Sequence, residues 1–347
     1  MAERRRYIVV GAGAIGGTIG GVLARAGADA VLVARGAHAR ALSDTGLRLR
    51  TPDGVLEIPV TVAASPDDVA LTERDVLVFA TKTQQLDAAL QDWADRPVRG
   101  TDGTAGELLP VLTALNGVAA EEKALRYFAR VLGVCVWMPA AHVTPGEVII
   151  RSWPVAGQFH VARWPAALAT AEDRELLADL ADTWTTAGIL IQLPPDVRPW
   201  KYNKLLSNLN NAVVALTGSR TGGEELVAAL RSEAEAVLAH AGIEFVPFSV
   251  TQAQRAHGPK QRPVDGTEHI ISNSTWQSLA RTSGSVETDF LNGEIVRIAH
   301  RHGTTAPVNA ALARLAREAA HTRRPPGSLS IHELAEQLGL SDGARLR

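Results

Sequence analysis

The sequence predicts an α/β domain built on a parallel sheet, followed by an all-helical domain. Two observations support this fold class. Short apolar segments alternate with helical patterns in the first half of the chain, whereas nearly every segment after residue 197 has a helical pattern. The proline-rich segment 194–199 lies between these halves and interrupts regular structure. We therefore predict an α/β domain at residues 1–196, a helical domain at 197–324 and a C-terminal tail with a short helix at 325–347.

The turn after the first predicted strand carries the most specific motif. Residues 7–10 are apolar, and a G-x-G-x-x-G sequence follows them at the start of a helical segment. In this context the first glycine permits a tight turn, the second lets a pyrophosphate approach the backbone, and the third lets helix and strand pack closely. The N-terminus of the helix favours phosphate. We therefore predict a Rossmann-type dinucleotide site formed by Gly11, Ala12, Gly13, Ala14, Ile15 and Gly16.

The end of the second predicted strand, residues 30–34, indicates which dinucleotide binds. NAD-specific sites usually place an acidic residue there, about 20 residues past the glycines, to bind the ribose 2'-hydroxyl. This sequence has Arg35 at that position and no Asp or Glu from Ala30 to Arg40. A guanidinium pairs well with a 2'-phosphate, so we predict NADP (NADPH). The alternative is that Arg35 is only a solvated loop residue.

Two further predicted strands end at polar residues. Residues 75–80 lead to Thr81 and Lys82, and residues 111–115 lead to Asn116. Ligands of open α/β sheets bind at the carboxyl ends of the strands, so Lys82 and Asn116 are candidate cofactor or substrate ligands. Either residue could equally be an ordinary surface lysine or turn asparagine.

A polar stripe marks the start of the helical half. If residues 200–211 form one helix, Lys204, Asn208 and Asn211 lie on one face, and leucines cover much of the remaining surface. Buried amides and charges need partners, which a cleft holding a polar ligand would supply. The alternative is a solvated face that also includes Lys201 and Asn203.

Composition excludes several classes of protein. The formal net charge of -2 gives no reason to expect nucleic acid or an anionic membrane as a partner. Six glycines in the uncharged N-terminal run argue against a membrane span or an export signal. The single cysteine, Cys135, fits a reducing cytoplasm and a buried packing role. The scattered histidines indicate no metal site.

On these motifs the chain resembles the ketopantoate reductase (2-dehydropantoate 2-reductase) family, over roughly residues 7–319. The family combines a Rossmann-type domain with an all-helical domain of the 6-phosphogluconate dehydrogenase C-terminal type, with the active site between them. The motifs that carry the resemblance are Gly11-x-Gly13-x-x-Gly16, Arg35, Thr81-Lys82, Asn116-Gly117, Lys204-Leu205-x-x-Asn208, Ser274 and Glu287-x-Asp289-x-x-Asn292-Gly293.

The resemblance implies an NADPH-dependent reductase of a small 2-oxo acid, with 2-dehydropantoate as the leading candidate on the route to pantothenate and coenzyme A. It implies that Lys204 is the catalytic general acid and that Glu287 is its acidic partner, which orients the substrate. Asn208 resembles the amide that contacts the polar end of the substrate, and Ser274 resembles a donor to its carboxylate. Hydride addition develops negative charge on the ketone oxygen, which a positioned ammonium stabilises and protonates.

The chain also departs from the family pattern. Ala212 stands where familiar members have a second asparagine, with Asn211 directly before it, and one additional residue lies between Ser274 and Glu287. A related reductase of another oxo or imino compound is therefore an alternative, as is an NADP-binding sensor without turnover. The helix predicted at 331–340 is expected to pack on the protein or to form a homodimer contact.

Overall fold

The computed structural model describes residues 4–219, 221–268, 270 and 273–340. Contacts between Cα atoms divide the chain into two units. The first contains Met1–Leu115, Ala119–Trp200 and Pro247–Ile270, and the second contains Asn116–Val118, Lys201–Val246 and Ile271–Arg347.

Residues 247–270 belong to the first unit, although the sequence places them in the helical domain. Long-range hydrogen bonds explain this difference. The backbone N–H of Arg262 donates to the carbonyl of Arg151 at 2.7 Å. The Arg151 guanidinium in turn donates to the carbonyls of Thr267 and Ile270 at 2.9 and 2.6 Å. The predicted domain limits at residues 197 and 324 remain predictions.

All strands of the described residues lie in the first unit. They are β1 (Arg6–Val10), β2 (Asp29–Val33), β3 (Leu47–Thr51), β4 (Gly54–Ile58), β5 (Thr61–Ala63), β6 (Leu71–Thr72), β7 (Asp75–Phe79), β8 (Val98–Arg99), β9 (Val111–Thr113), β10 (Val131–Trp137), β11 (Ala140–Ala141), β12 (Glu147–Ile150), β13 (Gly157–Trp164) and β14 (Ile189–Gln192).

The α-helices are distributed over both units. They are α1 (Ala14–Arg25), α2 (Gly36–Thr45), α3 (Leu86–Ala94), α4 (Ala105–Leu108), α5 (Ala120–Ala124), α6 (Ala171–Thr186), α7 (Arg198–Asn208), α8 (Asn211–Thr217), α9 (Glu224–His240), α10 (Phe248–His257), α11 (Ser274–Ala280), α12 (Asn292–Arg301), α13 (Pro307–His321) and α14 (Ile331–Gln337).

The first unit is built on an eight-stranded sheet with the order β14-β13-β10-β9-β7-β1-β2-β5. Neighbouring strands from β10 to β5 run parallel, β13 is antiparallel to β10, and β14 is parallel to β13. Parallel strands are covered on both faces, which explains their continuous apolar runs. In β1, Tyr7 and Val9 join one hydrophobic core, whereas Ile8 and Val10 join the other. The predicted α/β fold class is confirmed.

The alternating residues 46–50, the turn residues 52–54 and the apolar segment 55–60 predict a hairpin, which forms as β3 and β4 with Leu49 opposite Leu56. It does not join the main sheet. Strand β12 pairs with β3 and with β11, which gives a separate four-stranded sheet.

The second unit is helical, but the segment 200–211 is not one helix. Helix α7 ends at Asn208, and α8 begins at Asn211. At this break, the side-chain amide of Asn292 donates to the carbonyl of Leu209 at 3.1 Å. A side chain from a distant segment thus binds a carbonyl that a continuous helix would use internally. The prediction that Asn211 shares a helical face with Lys204 and Asn208 is therefore wrong.

The tail helix α14 packs against the core of the second unit through Leu334 and Leu338. Its N-cap Ser330 forms a capping box with Glu333, which fixes where the helix begins. It ends at Gln337 rather than at the predicted residue 340. Residues 341–347 of the predicted tail lie outside the described residues. None of the described helices is both long and apolar enough to cross a membrane.

Candidate active site

The glycine turn after β1 has the geometry that its sequence predicts. Gly11 has φ +100°, which favours glycine, and a Cβ there would lie 3.0 Å from the backbone nitrogen of Thr81. A Cβ at Gly16 would lie 2.0 Å from the carbonyl oxygen of Gly11. Only glycine at position 16 therefore lets α1 approach the turn this closely.

Gly13 is the N-cap of α1 and has φ -70° and ψ -155°, an extended backbone outside the left-handed region that favours glycine. No atom lies within 4 Å of a Cβ built at this position. The space beside Gly13 is open at the end of a helix whose first N–H groups and dipole favour an anion. These properties fit the pyrophosphate of a dinucleotide.

His38, which the sequence motifs did not indicate as a site residue, holds this turn through two hydrogen bonds. His38 Nε2 donates to the carbonyl of Ala12 at 2.7 Å, and His38 Nδ1 accepts from the backbone N–H of Gly146 at 2.9 Å. Both bonds form together only when the ring is neutral and carries its proton on Nε2. Burial lowers the pKa of His38, and the bond to Ala12 opposes that shift. The ring of His142 lies 4.3 Å from that of His38, measured between centroids.

The two predicted cationic cofactor ligands lie at strand ends. Arg35 follows β2 as the N-cap of α2 and is exposed. None of the described residues forms an ion pair with it. Lys82 follows β7 and is the N-cap of the 3-10 helix Thr83–Gln85. Next to it, the buried hydroxyl of Thr81 has no hydrogen-bond partner among the described residues.

In the second unit, α7 carries Lys204 in a half-buried position. The alternative of a solvated face is wrong for its neighbours, since Lys201 is 2% exposed and Asn203 is fully buried. The Asn203 amide donates to the carbonyl of Val246 at 2.7 Å, which shows what covers that side of the helix. The spacing of charged and amide residues along α7 could not predict that the chain at Val246 covers Asn203.

The second unit also brings Asn208 and Asn116 together. The Asn208 amide nitrogen donates to the Asn116 side-chain oxygen at 3.1 Å. Gly117 then turns with φ +78°, and a Cβ there would lie 2.7 Å from the carbonyl oxygen of Phe290. The Asn116–Gly117 turn therefore fits closely against the 3-10 helix Glu287–Phe290, which carries the predicted acidic partner.

Glu287 is buried, with 6% of its surface exposed. Burial lowers the pKa of Arg281, and the negative charge of Glu287 opposes that shift, so the two side chains are near each other. A buried carboxylate needs such compensation. Arg281 is another residue that the sequence did not single out.

Ser274 begins α11, and its buried hydroxyl has no hydrogen-bond partner among the described residues. Its neighbour Asn273 caps the helix by accepting from the N–H groups of Thr275 and Trp276. The Asn273 amide also donates to the backbone carbonyl of Asn211 at 3.0 Å. Ser274 thus keeps a hydroxyl that a ligand could engage, and Asn211 is placed at the start of α8 beside α11.

Models of known families decide which family this architecture represents. The model "Ketopantoate reductase PanE/ApbA" matches residues 7–165, and "Ketopantoate reductase PanE/ApbA C terminal" matches residues 196–320. The chain belongs to the ketopantoate reductase family. As a member of it, the protein is an oxidoreductase that acts on a CH–OH group, and it uses a nicotinamide dinucleotide and a small-molecule substrate.

Sequence relatives of this ketopantoate reductase family member include two 2-dehydropantoate 2-reductases. That of Pyrococcus horikoshii is 26% identical over 312 residues, which cover 88% of this chain and 94% of the relative. That of Mesorhizobium japonicum is 31% identical over 281 residues, which cover 73% of this chain and 81% of the relative.

Solved structures show the same fold. A PanE/ApbA family ketopantoate reductase from Ralstonia eutropha JMP134 aligns with a TM-score of 0.71 and 26% identity, over 92% of this chain and 99% of that chain. D-mandelate dehydrogenase in a complex with NADH and anilino(oxo)acetate aligns with a TM-score of 0.73, over 92% of this chain and 99% of that chain. At 20% identity, the second likeness concerns the fold alone.

Proposed function

We propose that this ketopantoate reductase family member reduces a small 2-oxo acid with NADPH, with 2-dehydropantoate as the leading candidate substrate. The observation that carries the proposal is the group of buried polar side chains in the second unit. Asn208 is bonded to Asn116, Glu287 is buried near Arg281, and Ser274 keeps its buried hydroxyl. Desolvating this many polar groups is costly unless a ligand or a network of partners compensates them.

In this proposal Lys204 is the proton donor. When bound, the reduced nicotinamide supplies hydride to C2 of the substrate. The Lys204 ammonium stabilises the charge that develops on the ketone oxygen and gives it a proton. Glu287 and Asn208 orient the substrate, Ser274 donates to its carboxylate, and Asn211 is a further candidate contact.

We also propose that the dinucleotide is NADPH and that the glycine motif, Lys82 and Asn116 help to hold it. Arg35 supports NADPH over NADH, because an exposed guanidinium at the end of β2 can form charge-assisted hydrogen bonds to a 2'-phosphate. Wild-type protein should bind NADPH more tightly than NADH, and Arg35→Ala should remove most of that difference. Equal wild-type affinities for the two dinucleotides would refute this assignment.

A second candidate is a reductase of another oxo or imino compound. Ala212 favours it, because an apolar methyl group stands where familiar members of the family have an amide. The D-mandelate dehydrogenase of similar fold also shows that such folds serve other substrates. A third candidate, an NADP-binding sensor without turnover, has no need for Lys204 and Glu287. A cytoplasmic location and a homodimer stay predictions.

The deciding experiment is a panel of 2-oxo acids, including ketopantoate, assayed with NADPH at the nicotinamide absorbance. Lys204→Met should lower kcat by about 100- to 10,000-fold, the usual range for loss of a general acid. Lys260→Met is the matched control, because this lysine is exposed in the other unit. Ketopantoate turnover that is equal in wild type and Lys204→Met would contradict the mechanism. Tight NADPH binding without turnover of any oxo acid would favour the sensor.

A further inference from the structure

An arginine of the first unit lies flat on a tryptophan at the end of a central strand. The guanidinium carbon of Arg255, on α10, lies 3.4 Å from the ring centroid of Trp137, the last residue of β10. Arg255 is exposed, and none of the described residues forms an ion pair with it. Stacking covers one face of the guanidinium, but its N–H groups lie in the plane and still point outward. Arg255 is thus held in place with its donors available.

The position of Trp137 in the sheet places the Arg255–Trp137 pair on the side of the sheet where ligands bind. Strands β1, β7, β9 and β10 are parallel neighbours, and Trp137 lies four residues beyond Gly133, the residue of β10 that is level with Val10 at the end of β1. Trp137 therefore projects past the carboxyl edge of the sheet, from which the glycine turn also leaves. Ligands of such sheets bind along this edge. Strand β10 lies three strand spacings of about 4.8 Å from β1, or roughly 14 Å across the sheet.

The strand order also tells which half of the dinucleotide faces Arg255. Strand β2, which leads to Arg35, lies on one side of β1, and strands β7, β9 and β10 lie on the other. A dinucleotide whose adenosine ribose is held at Arg35 must extend its nicotinamide half toward β7, β9 and β10. Arg255 therefore lies on the side of the edge where the substrate reacts.

Helix α10 is fixed to the sheet on both sides of Arg255. His160 of β13 donates from Nε2 to the side-chain oxygen of Gln254 at 3.0 Å, and the His160 ring stacks on Trp200 at 3.8 Å between centroids. On the other side, a Cβ at Gly258 would lie 2.8 Å from the side-chain oxygen of Gln158, so the helix approaches the strand closely there. The guanidinium is consequently preorganised, which reduces the entropy lost on binding an anion.

We propose that Arg255, held by Trp137, binds the carboxylate of the 2-oxo acid substrate. This inference rests on the proposed function and makes it more specific. A serine hydroxyl supplies the carboxylate with one hydrogen bond and no charge, whereas a guanidinium supplies two parallel bonds and a full positive charge. Arg255 would therefore select 2-oxo acids over neutral ketones.

The test compares the best 2-oxo acid of the panel with its neutral methyl ester in wild type, Arg255→Met and Arg255→Lys. Arg255→Met should lower kcat/KM for the acid about 10- to 100-fold, mostly through KM, because a hydrogen bond to a charged group is lost. The ester and the Kd for NADPH should change less than twofold. Arg255→Lys should recover part of the loss, since lysine keeps the positive charge but lacks the two parallel N–H donors of the guanidinium.

Arg262→Met is the matched control. Arg262 lies in the same segment and is exposed, but it is paired with Asp53 at 2.7 Å. This substitution should leave kcat/KM for the acid unchanged. An equal loss for acid and ester in Arg255→Met, or no loss for the acid, would overturn the inference.

A binding arm separates failure of this inference from failure of the proposed function. Oxamate carries a carboxylate beside a carbonyl and is not reduced, so its binding to the NADPH-loaded protein can be measured by calorimetry. If wild type reduces no 2-oxo acid but oxamate binding depends on Arg255, the proposed reaction fails, whereas the assignment of Arg255 as the residue that binds a carboxylate beside a carbonyl is supported. If oxamate binds wild type and Arg255→Met equally, or binds neither, the inference fails whatever the turnover.

Discussion

The Asn208 side chain donates a hydrogen bond of 3.1 Å to the Asn116 side chain, although 92 positions separate them in the sequence. Asn116 follows β9, and Asn208 ends α7. Each amide therefore has a defined orientation before any ligand arrives. That matters because an amide that must rotate to meet a substrate loses conformational entropy on binding.

This pairing predicts that Asn116 and Asn208 act as a unit. Asn116→Ala and Asn208→Ala should each raise KM for the 2-oxo acid. The free-energy loss in the double variant, measured from kcat/KM, should be smaller than the sum of the two single losses. We expect a coupling free energy of about 0.5–1.5 kcal/mol, the usual net value of one hydrogen bond. The measurement is a double-mutant cycle on kcat/KM, and additive effects would show that the two amides act independently.

The glycine turn predicts that two similar substitutions have different consequences. Gly13→Ala should leave the free energy of unfolding nearly unchanged, since the new methyl group meets no protein atom within 4 Å. It should weaken NADPH binding about tenfold or more, because overpacking at a contact costs about 1–3 kcal/mol.

Gly16→Ala should instead destabilise the fold, because its methyl group would lie 2.0 Å from the Gly11 carbonyl oxygen. We expect a loss of about 1–3 kcal/mol in urea unfolding. If Gly13→Ala were as destabilising as Gly16→Ala, the open space beside Gly13 would not exist in solution.

His38 predicts a pH dependence of dinucleotide binding. The neutral ring accepts from the Gly146 N–H while donating to the Ala12 carbonyl, and a protonated ring can no longer accept. Because burial lowers the pKa of His38, the bridge persists at neutral pH and is lost as the pH falls through that lowered value. Binding of NADP⁺ should then weaken at acidic pH.

The control for this prediction is His38→Leu, which lacks both bonds at every pH. It should bind NADP⁺ more weakly than wild type at pH 7.5, by about 10-fold for two hydrogen bonds. The gap should shrink at low pH, where the wild-type bridge is also lost. Calorimetry across this range measures it, and parallel pH profiles would rule out a role for His38 protonation.

His160 predicts a pH dependence of stability. Its burial lowers the pKa to about 4, and the hydrogen bond to Gln254 opposes the shift. Between the ordinary value of 6.5 and about 4, the unfolded chain binds a proton that the folded protein does not. The neutral, buried His160 ring therefore contributes fully to the free energy of unfolding above pH 6.5. This contribution decreases as the pH falls through this window, by up to about 1.4 kcal/mol per pH unit.

His160→Phe should flatten that part of the stability profile, because the ring remains but cannot titrate. Urea unfolding of both proteins at several pH values between 4 and 8 provides the comparison. An unchanged slope in His160→Phe would assign the acid sensitivity to other groups.

Local patterns predicted some features well. The strand, glycine turn and helix near residues 7–26 follow from spacing within one short segment, and so does the β3–β4 hairpin. Thr170 stands just before Glu172 and Asp173, a pattern that predicts a helix N-cap, and α6 begins after it, with the Thr170 hydroxyl accepting from the Asp173 N–H at 3.1 Å. Cys135 is buried as expected, at 1% exposed. In each case the determining contacts lie between residues close together in the sequence or follow from apolar character alone.

Other features depend on distant residues and were missed for that reason. At the break between α7 and α8, Leu209 is bonded to Asn292, which lies 83 positions later in the sequence. The burial of Asn203 requires the chain at Val246, and the bridge through His38 requires Gly146. The two members of each pair lie too far apart in the sequence to belong to one local pattern, so local patterns could not predict these contacts.

The sequence by itself predicted the α/β-plus-helical fold class and the residue types available for a dinucleotide and a small substrate, because motif spacing and hydrophobic periodicity are local properties. Its motifs also resemble those of the family to which the chain belongs. Only the tertiary structure decided which polar groups are buried and with which partners, including Asn208 with Asn116 and Arg255 with Trp137. The physical reason is that desolvation and hydrogen bonding depend on what surrounds a side chain in space, and those neighbours come from segments far apart in the chain.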